Sequence, residues 1–356
     1  MDWYPLRLSA PTMTHVFGGR AIVDLLGRLD APEGRIAETW EVSDVEGKGA
    51  EVLEGPLAGW SLRRLVKEHP EELMGRGWRG DRFPVLAKFI DGTHMLPVHL
   101  HADDATARRL ENEPNGKTEA WHIIDAAPGA TALVGVRPGV DRDSLREALL
   151  QGDFDAVMRR VPVRAGQTLY VPGGTLHSFG PKTLVYEIEQ TSDTQRSAMR
   201  HRMEDGSRLP EDEWRHNIGM LLAEWKPEPR PDFHPGLSLR IDDDVQRVIC
   251  CAGPYFALER WRAATGSTFS YALATATIVS NVGAPVQLKT GGWTGTLPAA
   301  STLLLPAALG EVEVTGPADV MVGYLPDLET DIHAPLIAAG YGPEAIAALG
   351  ETTEIP

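Results

Sequence analysis

Short apolar runs, each cut off by glycine or proline, are the feature that most restricts how this chain can fold. Phe83 to Ile90, Ala132 to Val136, Thr168 to Val171 and Leu184 to Ile188 are each four to eight residues long. Runs of that length between turn residues read as β-strands of a sandwich or barrel. The 36 glycines and 27 prolines supply the turns. Helical patterns interrupt the strands. Ser61 to Met74 spaces Leu62, Leu65, Val66, Leu73 and Met74 for one helix face, and Pro70 divides it into two short helices. Asp141 to Val161 is a second helical stretch. Pro210 to Trp225 is a third, with Glu211, Asp212 and Glu213 at its start, where the helix dipole favours acids.

Four prolines between Lys226 and Pro235 exclude a helix or central strand and mark a linker. Beyond it, Val248 to Leu325 again reads as short strands, including Thr277 to Asn281, Thr302 to Pro306 and Val320 to Leu325. The tail from Ala334 to Pro356 is helical in pattern over Leu336 to Leu349. At 356 residues the chain is long for one average domain. The expectation is a mainly β protein with helical additions, divided into an N-terminal unit, 1–227, and a C-terminal unit, 236–356.

Composition narrows the function classes. Lys+Arg is 34 against Asp+Glu 50, a net charge of −16. Such a surface repels nucleic acid and anionic membrane, and a phosphorylated substrate would need a local basic patch. The start of the chain has no basic stretch followed by an apolar run, and no segment reaches the length of a membrane span. The only cysteines, Cys250 and Cys251, are adjacent and build no disulfide framework. A reduced, cytoplasmic setting is the expectation; the oligomeric state is left open.

Three pieces carry chemistry. In Leu96 to Asp104, His99 and His101 stand two apart, so in a strand both imidazoles point to one side. Lys117 and Glu119 repeat that spacing in Gly116 to Trp121, and a carboxylate is a common partner of histidines at a catalytic metal. In Gly166 to His177, a strand enters a Pro172-Gly-Gly174 turn that can aim His177 inward. Each piece alone also fits an ordinary polar strand or turn. Together, His-x-His, a later Glu and Gly-x5-Pro-x-Gly-x2-His resemble the two-part metal signature of the cupin superfamily, with a long excursion of about seventeen residues between His101 and Glu119. Read as one site, His99, His101, Glu119 and His177 hold one divalent ion, at about 2.0–2.2 Å per bond for zinc.

The chain also resembles class I mannose-6-phosphate isomerases, particularly the shorter bacterial form. The resemblance rests on Phe17-Gly-Gly19, Glu38-Thr-Trp-Glu-Val-Ser43, Phe83-Pro-Val-Leu-Ala-Lys-Phe-Ile-Asp91, His101-Ala-Asp-Asp104, Gly116-Lys-Thr-Glu119, Pro172 to His177 and Tyr186 to Asp193, in that order. It is clear over residues 17–202 and returns weakly at Thr302 to Gly310. It implies two cupin-type jelly-roll barrels, with metal only in the first. It further implies zinc at His99, His101, Glu119 and His177, and a substrate lined by Lys117 and Arg196. The family usually has Gln at the position of His99, Pro at Ala102, Ala-His-Pro near Asp44 to Glu46, Gln at Glu189, and Tyr-Arg-x-Tyr-Asp where this chain has Gln195 to Met199. The third imidazole makes iron, manganese, nickel or cobalt admissible beside zinc.

The resulting expectation is a metal-dependent aldose–ketose isomerase working through an enediol, with mannose 6-phosphate to fructose 6-phosphate as the reaction. Lys117, Arg196 and Glu189 are the catalytic candidates. Glu187 is a second candidate base or a substrate ligand, and either carboxylate can instead hydrogen-bond to metal ligands. Arg202, with Arg196 and Arg200, is the candidate phosphate site. A free-sugar isomerase, a dioxygenase-like cupin oxidoreductase and a non-catalytic sugar-binding cupin are the alternatives.

Overall fold

The structure, a computed structural model, describes residues 2–228 and 230–353. Pro229, within the proline-rich linker, and the last three residues of the tail lie outside the described residues. Four antiparallel sheets form two pairs. The first sheet runs in the order Thr12–Met13, Glu38–Val42, Val85–Gly92, Thr183–Gln190, Glu119–Ala126, Thr168–Val171. Its partner runs Arg196–Ser197, His99–Leu100, His177–Phe179, Thr131–Val136, Met158–Pro162. Residues after the linker repeat the plan with a six-stranded and a four-stranded sheet. No helix among the described residues is long and apolar enough to cross a membrane.

Pleat alternation sorts the side chains. Within the first sheet pair, Ile90, Trp121, Ile123 and Val185 of one sheet meet Ala132, Val134 and Phe179 of the other. The opposite face of the first sheet carries Tyr186, Ile188 and Phe89. These pack with Leu258, Ile278, Leu304 and Met321 from the second half of the chain into one shared apolar core. At Gly323 the two halves come so close that a Cβ would sit 2.7 Å from Ile188 Cδ1, so any larger residue would make the Ile188 side chain move. The outer face of the second sheet, with Leu100 and Leu133, is covered by the helices Arg142–Gln151 and Glu211–Glu224 through Leu145, Leu149, Trp214 and Ile218.

The helices largely follow the apolar spacing. Leu62–Glu68 begins at Ser61, whose hydroxyl accepts from Arg64 N, and Pro70–Met74 follows as a separate helix. The stretch from Asp141 departs from a continuous helix. Gly152, at φ 74°, ends Arg142–Gln151, and after the short helix Phe154–Val157 the chain turns into strand Met158–Pro162, paired with Thr131–Val136. The pairing partner is distant in sequence, so the local period could not announce it. The excursion between His101 and Glu119 is helical over Asp104–Thr106 and Ala107–Glu111.

One buried histidine joins the halves. His122, 1% exposed, meets Thr168 Oγ1 at 2.9 Å through Nδ1 and Arg260 Nη1 at 3.1 Å through Nε2. A guanidinium can only donate, so Nε2 accepts and the ring is neutral. Burial, then Arg260 and Arg262, push the imidazole down to about 3. The folded value lies below the unfolded value of about 6.5, so this stability is present above pH 6.5 and is lost as pH falls towards 3. By pH 5 the loss from this one group amounts to about 2 kcal/mol. Urea unfolding at pH 7.5 and pH 5 is expected to show a pH-dependent loss smaller by about that amount in His122→Gln. Equal losses in both proteins would contradict the assignment.

Candidate metal centre and active site

The two sheets of the first pair each bring ligands to the space between them. Glu119 opens strand Glu119–Ala126 of the first sheet. His99 and His177 face each other as register partners in the second, and His101 leaves the same short strand with its ring 4.8 Å from that of His99. The turn before His177 is set by close backbone contacts. Gly174, at φ 89°, donates to His101 O at 2.6 Å, and a Cβ on Gly173 would stand 2.7 Å from Asp103 Cα. His99, His101, Glu119 and His177 are all buried, and their ligand atoms lie within 4.8 Å of one another.

Each histidine turns the same nitrogen to a backbone carbonyl. His99 Nδ1 meets Pro97 O at 2.7 Å, His101 Nδ1 meets Thr194 O at 2.6 Å and His177 Nδ1 meets Thr175 O at 2.8 Å. A carbonyl only accepts, so Nδ1 carries the proton and each Nε2 presents a lone pair. Those lone pairs converge. His177 Nε2 is 3.0 Å from His99 Nε2 and 3.1 Å from Glu119 Oε1; His101 Nε2 is 3.2 Å from Glu119 Oε2. His101 Nε2 and both Glu119 oxygens are buried without a hydrogen-bond partner. Acceptors facing acceptors at such distances repel unless a cation lies between them. A tetrahedral ion with bonds of about 2.0–2.1 Å has ligand–ligand edges of about 3.3 Å, so the donor set fits a divalent ion. Burial, followed by His177 and His101, holds the His99 imidazole well below its usual range. Burial and then Lys117 push His101 down to about 4. Burial drives the Glu119 carboxyl up, but Lys117, His101 and His177 outweigh it and leave it well below its usual range. Neutral imidazoles and an ionised carboxylate are the states a metal requires.

Beside the ligands lies a row of charges made by sheet register. Trp40, Lys88, Glu187 and Trp121 are successive cross-strand partners, so all four share the interior face. Lys88 Nζ lies 3.1 Å from Glu187 and 3.0 Å from Glu189; Lys117 Nζ lies 2.8 Å from Glu189 and 3.3 Å from Glu119. Burial opposes charge on both lysines, but the facing carboxylates prevail and raise both above the usual range. Glu189, directly opposite Glu119 in the register, is fully buried, and burial pushes its carboxyl well up. The ammonium groups of Lys117 and Lys88, at 2.8 and 3.0 Å, work against that burial. Glu187 goes the other way: burial works against its charge, but Lys88 holds it below the usual range, and it accepts from Trp121 Nε1 at 2.9 Å.

The arginines stand elsewhere. Arg196 is the register partner of Leu100, not of His99, so it shares the outward face of Leu100. Its guanidinium is clamped by Glu111 at 2.7 Å and Glu224 at 2.8 Å. Arg202 pairs with Glu213 at 3.0 Å, and Arg200 pairs with Glu211 while lying over the Trp214 ring. The acids at the start of helix Glu211–Glu224 thus neutralise two members of the expected phosphate cluster. The cavity above the ligands is lined instead by Trp40, Lys48, Lys88, Lys117 and Gln195, among others. Sequence reasoning passed over Lys88, Trp40 and Lys48. A usable signal existed for the first: Lys88 interrupts an apolar run, and a lysine buried in a strand needs carboxylate partners, which Glu187 and Glu189 supply.

A buried cluster of three imidazoles and one carboxylate between the sheets of a jelly roll defines a cupin whose interior can hold a metal ion. No family model matches the sequence. The chain is 30% identical over 326 residues to the probable mannose-6-phosphate isomerase GmuF of Bacillus subtilis (strain 168), covering 90% of this chain and 99% of the relative. It is 28% identical to a mannose-6-phosphate isomerase of Streptococcus mutans, over 90% of this chain and 98% of that protein. The fold superposes on the crystal structure of the mannose 6-phosphate isomerase from Bacillus subtilis with a TM-score of 0.80, at 25% identity, covering 90% of this chain and all of that one. The chain belongs to the mannose-6-phosphate isomerase family.

Proposed function

We propose that this protein interconverts mannose 6-phosphate and fructose 6-phosphate, with one divalent ion, zinc as the family resemblance implies, held by His99, His101, Glu119 and His177. The observation that carries the reading is that the space between the two sheets brings these four residues together with Lys117, Lys88, Glu187 and Glu189. When bound, the ion supplies Lewis-acid polarisation of a sugar oxygen. Isomerisation moves one proton between C2 and C1 and a second between O2 and O1, with charge building on those oxygens in between. Lys117, between Glu119 and Glu189, holds a positive charge beside those oxygens. Glu189 is the group suited to hold and return the proton, since burial keeps its carboxyl easy to protonate. Glu187 and Lys88 orient the hydroxyls and the facing acid. Arg196 acts as a positioning residue: it fixes the strand that follows Thr194, whose carbonyl holds His101 Nδ1.

In this reading residues 1–227 are the metal-binding cupin unit and residues 236–356 a second cupin unit without metal. Two buried free thiols, Cys250 and Cys251, accord with a reduced, cytoplasmic setting. The test is ketose formation from a panel of phosphorylated and free aldoses. Conversion of mannose 6-phosphate in preference to the other sugars is expected; conversion of no aldose with any divalent metal removes the isomerase reading.

A further inference from the structure

The cavity over the metal ligands has a volume of about 50 Å³. That is small against the ~300 Å³ or more of an ordinary small-molecule site. A hexose phosphate enters only after the mouth widens. Lys48, in the loop after strand Glu38–Val42, and Asp193, after strand Thr183–Gln190, both line the cavity, and Lys48 Nζ meets Asp193 Oδ2 at 2.7 Å. The two side chains are 37% and 46% exposed, so this ion pair contributes at most about 1 kcal/mol and parts readily.

The three lysines lining the cavity differ in what they have left to offer. Lys88 and Lys117 are at most 8% exposed, and each lies close to two or more carboxylates. Lys48 has one carboxylate partner, and that partner is on the surface. Its ammonium lies 4.5 Å from the Trp40 ring centroid, as does that of Lys88, which holds it near the reacting face. The two ammonium groups are therefore no more than two such lengths apart, a span within reach of a hexose 6-phosphate engaged at its C1–C2 end.

Resting on the isomerase reading above, we propose that Lys48 binds the phosphate of the substrate, exchanging Asp193 for it as the mouth opens. A phosphate dianion is a stronger partner for an ammonium than an exposed carboxylate, and the departing Asp193 returns to water. Lys48 then discriminates phosphorylated from free sugars, in a protein whose net charge of −16 otherwise repels anions.

The experiment uses full-length, metal-loaded protein and the variants Lys48→Met, Lys48→Arg and Asp193→Asn. Calorimetry measures binding of mannitol 6-phosphate, which has no carbonyl to isomerise; kinetics measure KM and kcat for mannose 6-phosphate. Lys48→Met is expected to weaken mannitol 6-phosphate binding and raise KM about tenfold or more, the loss of one charge-assisted contact, with kcat little altered. Lys48→Arg should recover most of the affinity, and Asp193→Asn should tighten binding. Unchanged mannitol 6-phosphate affinity in Lys48→Met overturns the proposal, whatever the turnover. If wild-type protein converts no sugar yet its affinity for mannitol 6-phosphate depends on Lys48, the isomerase reading falls and the phosphate assignment stands.

Discussion

Protein carrying both His101→Ala and His177→Ala is expected to retain no stoichiometric metal and to isomerise at no more than about a thousandth of the wild-type rate, the loss of several kcal/mol of Lewis-acid stabilisation. His101 follows strand His99–Leu100 and His177 opens strand His177–Phe179, and each turns Nδ1 to a backbone carbonyl and Nε2 to the ligand cluster. Without them, His99 and Glu119 remain as two ligands, too few for a tight divalent site. The variant should still fold. In the metal-free protein these imidazoles contribute lone pairs that crowd one another and Glu119, so their removal relieves repulsion while water can fill the polar space. Elemental analysis and thermal unfolding read both effects: metal loss, and a melting temperature close to that of chelated wild-type protein. Stoichiometric metal in the double variant would show that the ion is held elsewhere.

Lys88→Met is expected to be the most destabilising single change in the site. Lys88 is 4% exposed and lies between Glu187 and Glu189, with Glu38 at 3.9 Å. Methionine keeps much of the side-chain volume but leaves these carboxylates facing one another in a buried space. Removing one partner from a buried ionic group costs about 3–5 kcal/mol, because the remaining charge is uncompensated. In a chain of 356 residues that lowers the melting temperature by roughly 4–7 °C. The deficit should shrink at acid pH, where the stranded carboxylates take up protons. A denaturation midpoint within about 1 kcal/mol of wild type, measured by urea unfolding, would contradict the account of this network.

How much could be read from the chain depends on how local each feature is. Pro172 to His177 was legible because a tight turn needs proline and glycine at fixed positions, and the histidine follows at a set offset. The His99–His101 and Lys117–Glu119 pairs were legible through the two-residue period of a strand. Long-range register was not. Nothing near Arg196 in the sequence says that it pairs with Leu100 and so faces Glu111 and Glu224 rather than the cavity. One residue of register decides which face a side chain takes, which is why Gln195 lines the cavity and Arg196 does not. Strand Met158–Pro162 was hidden for the same reason, since its helical-looking period is overridden by pairing with Thr131–Val136. Lys48 sits in a loop without period or motif, and only the folded chain places it across from Asp193.

The central claim is that one metal ion between these two sheets drives aldose–ketose interconversion of a hexose phosphate. The most direct test is to chelate the purified protein, titrate a divalent metal back, and follow mannose 6-phosphate and fructose 6-phosphate by NMR at each step. Negligible interconversion is expected in the chelated protein, with activity that rises linearly and levels off at one ion per chain. Full interconversion by metal-free protein, or none at saturating metal, would contradict it.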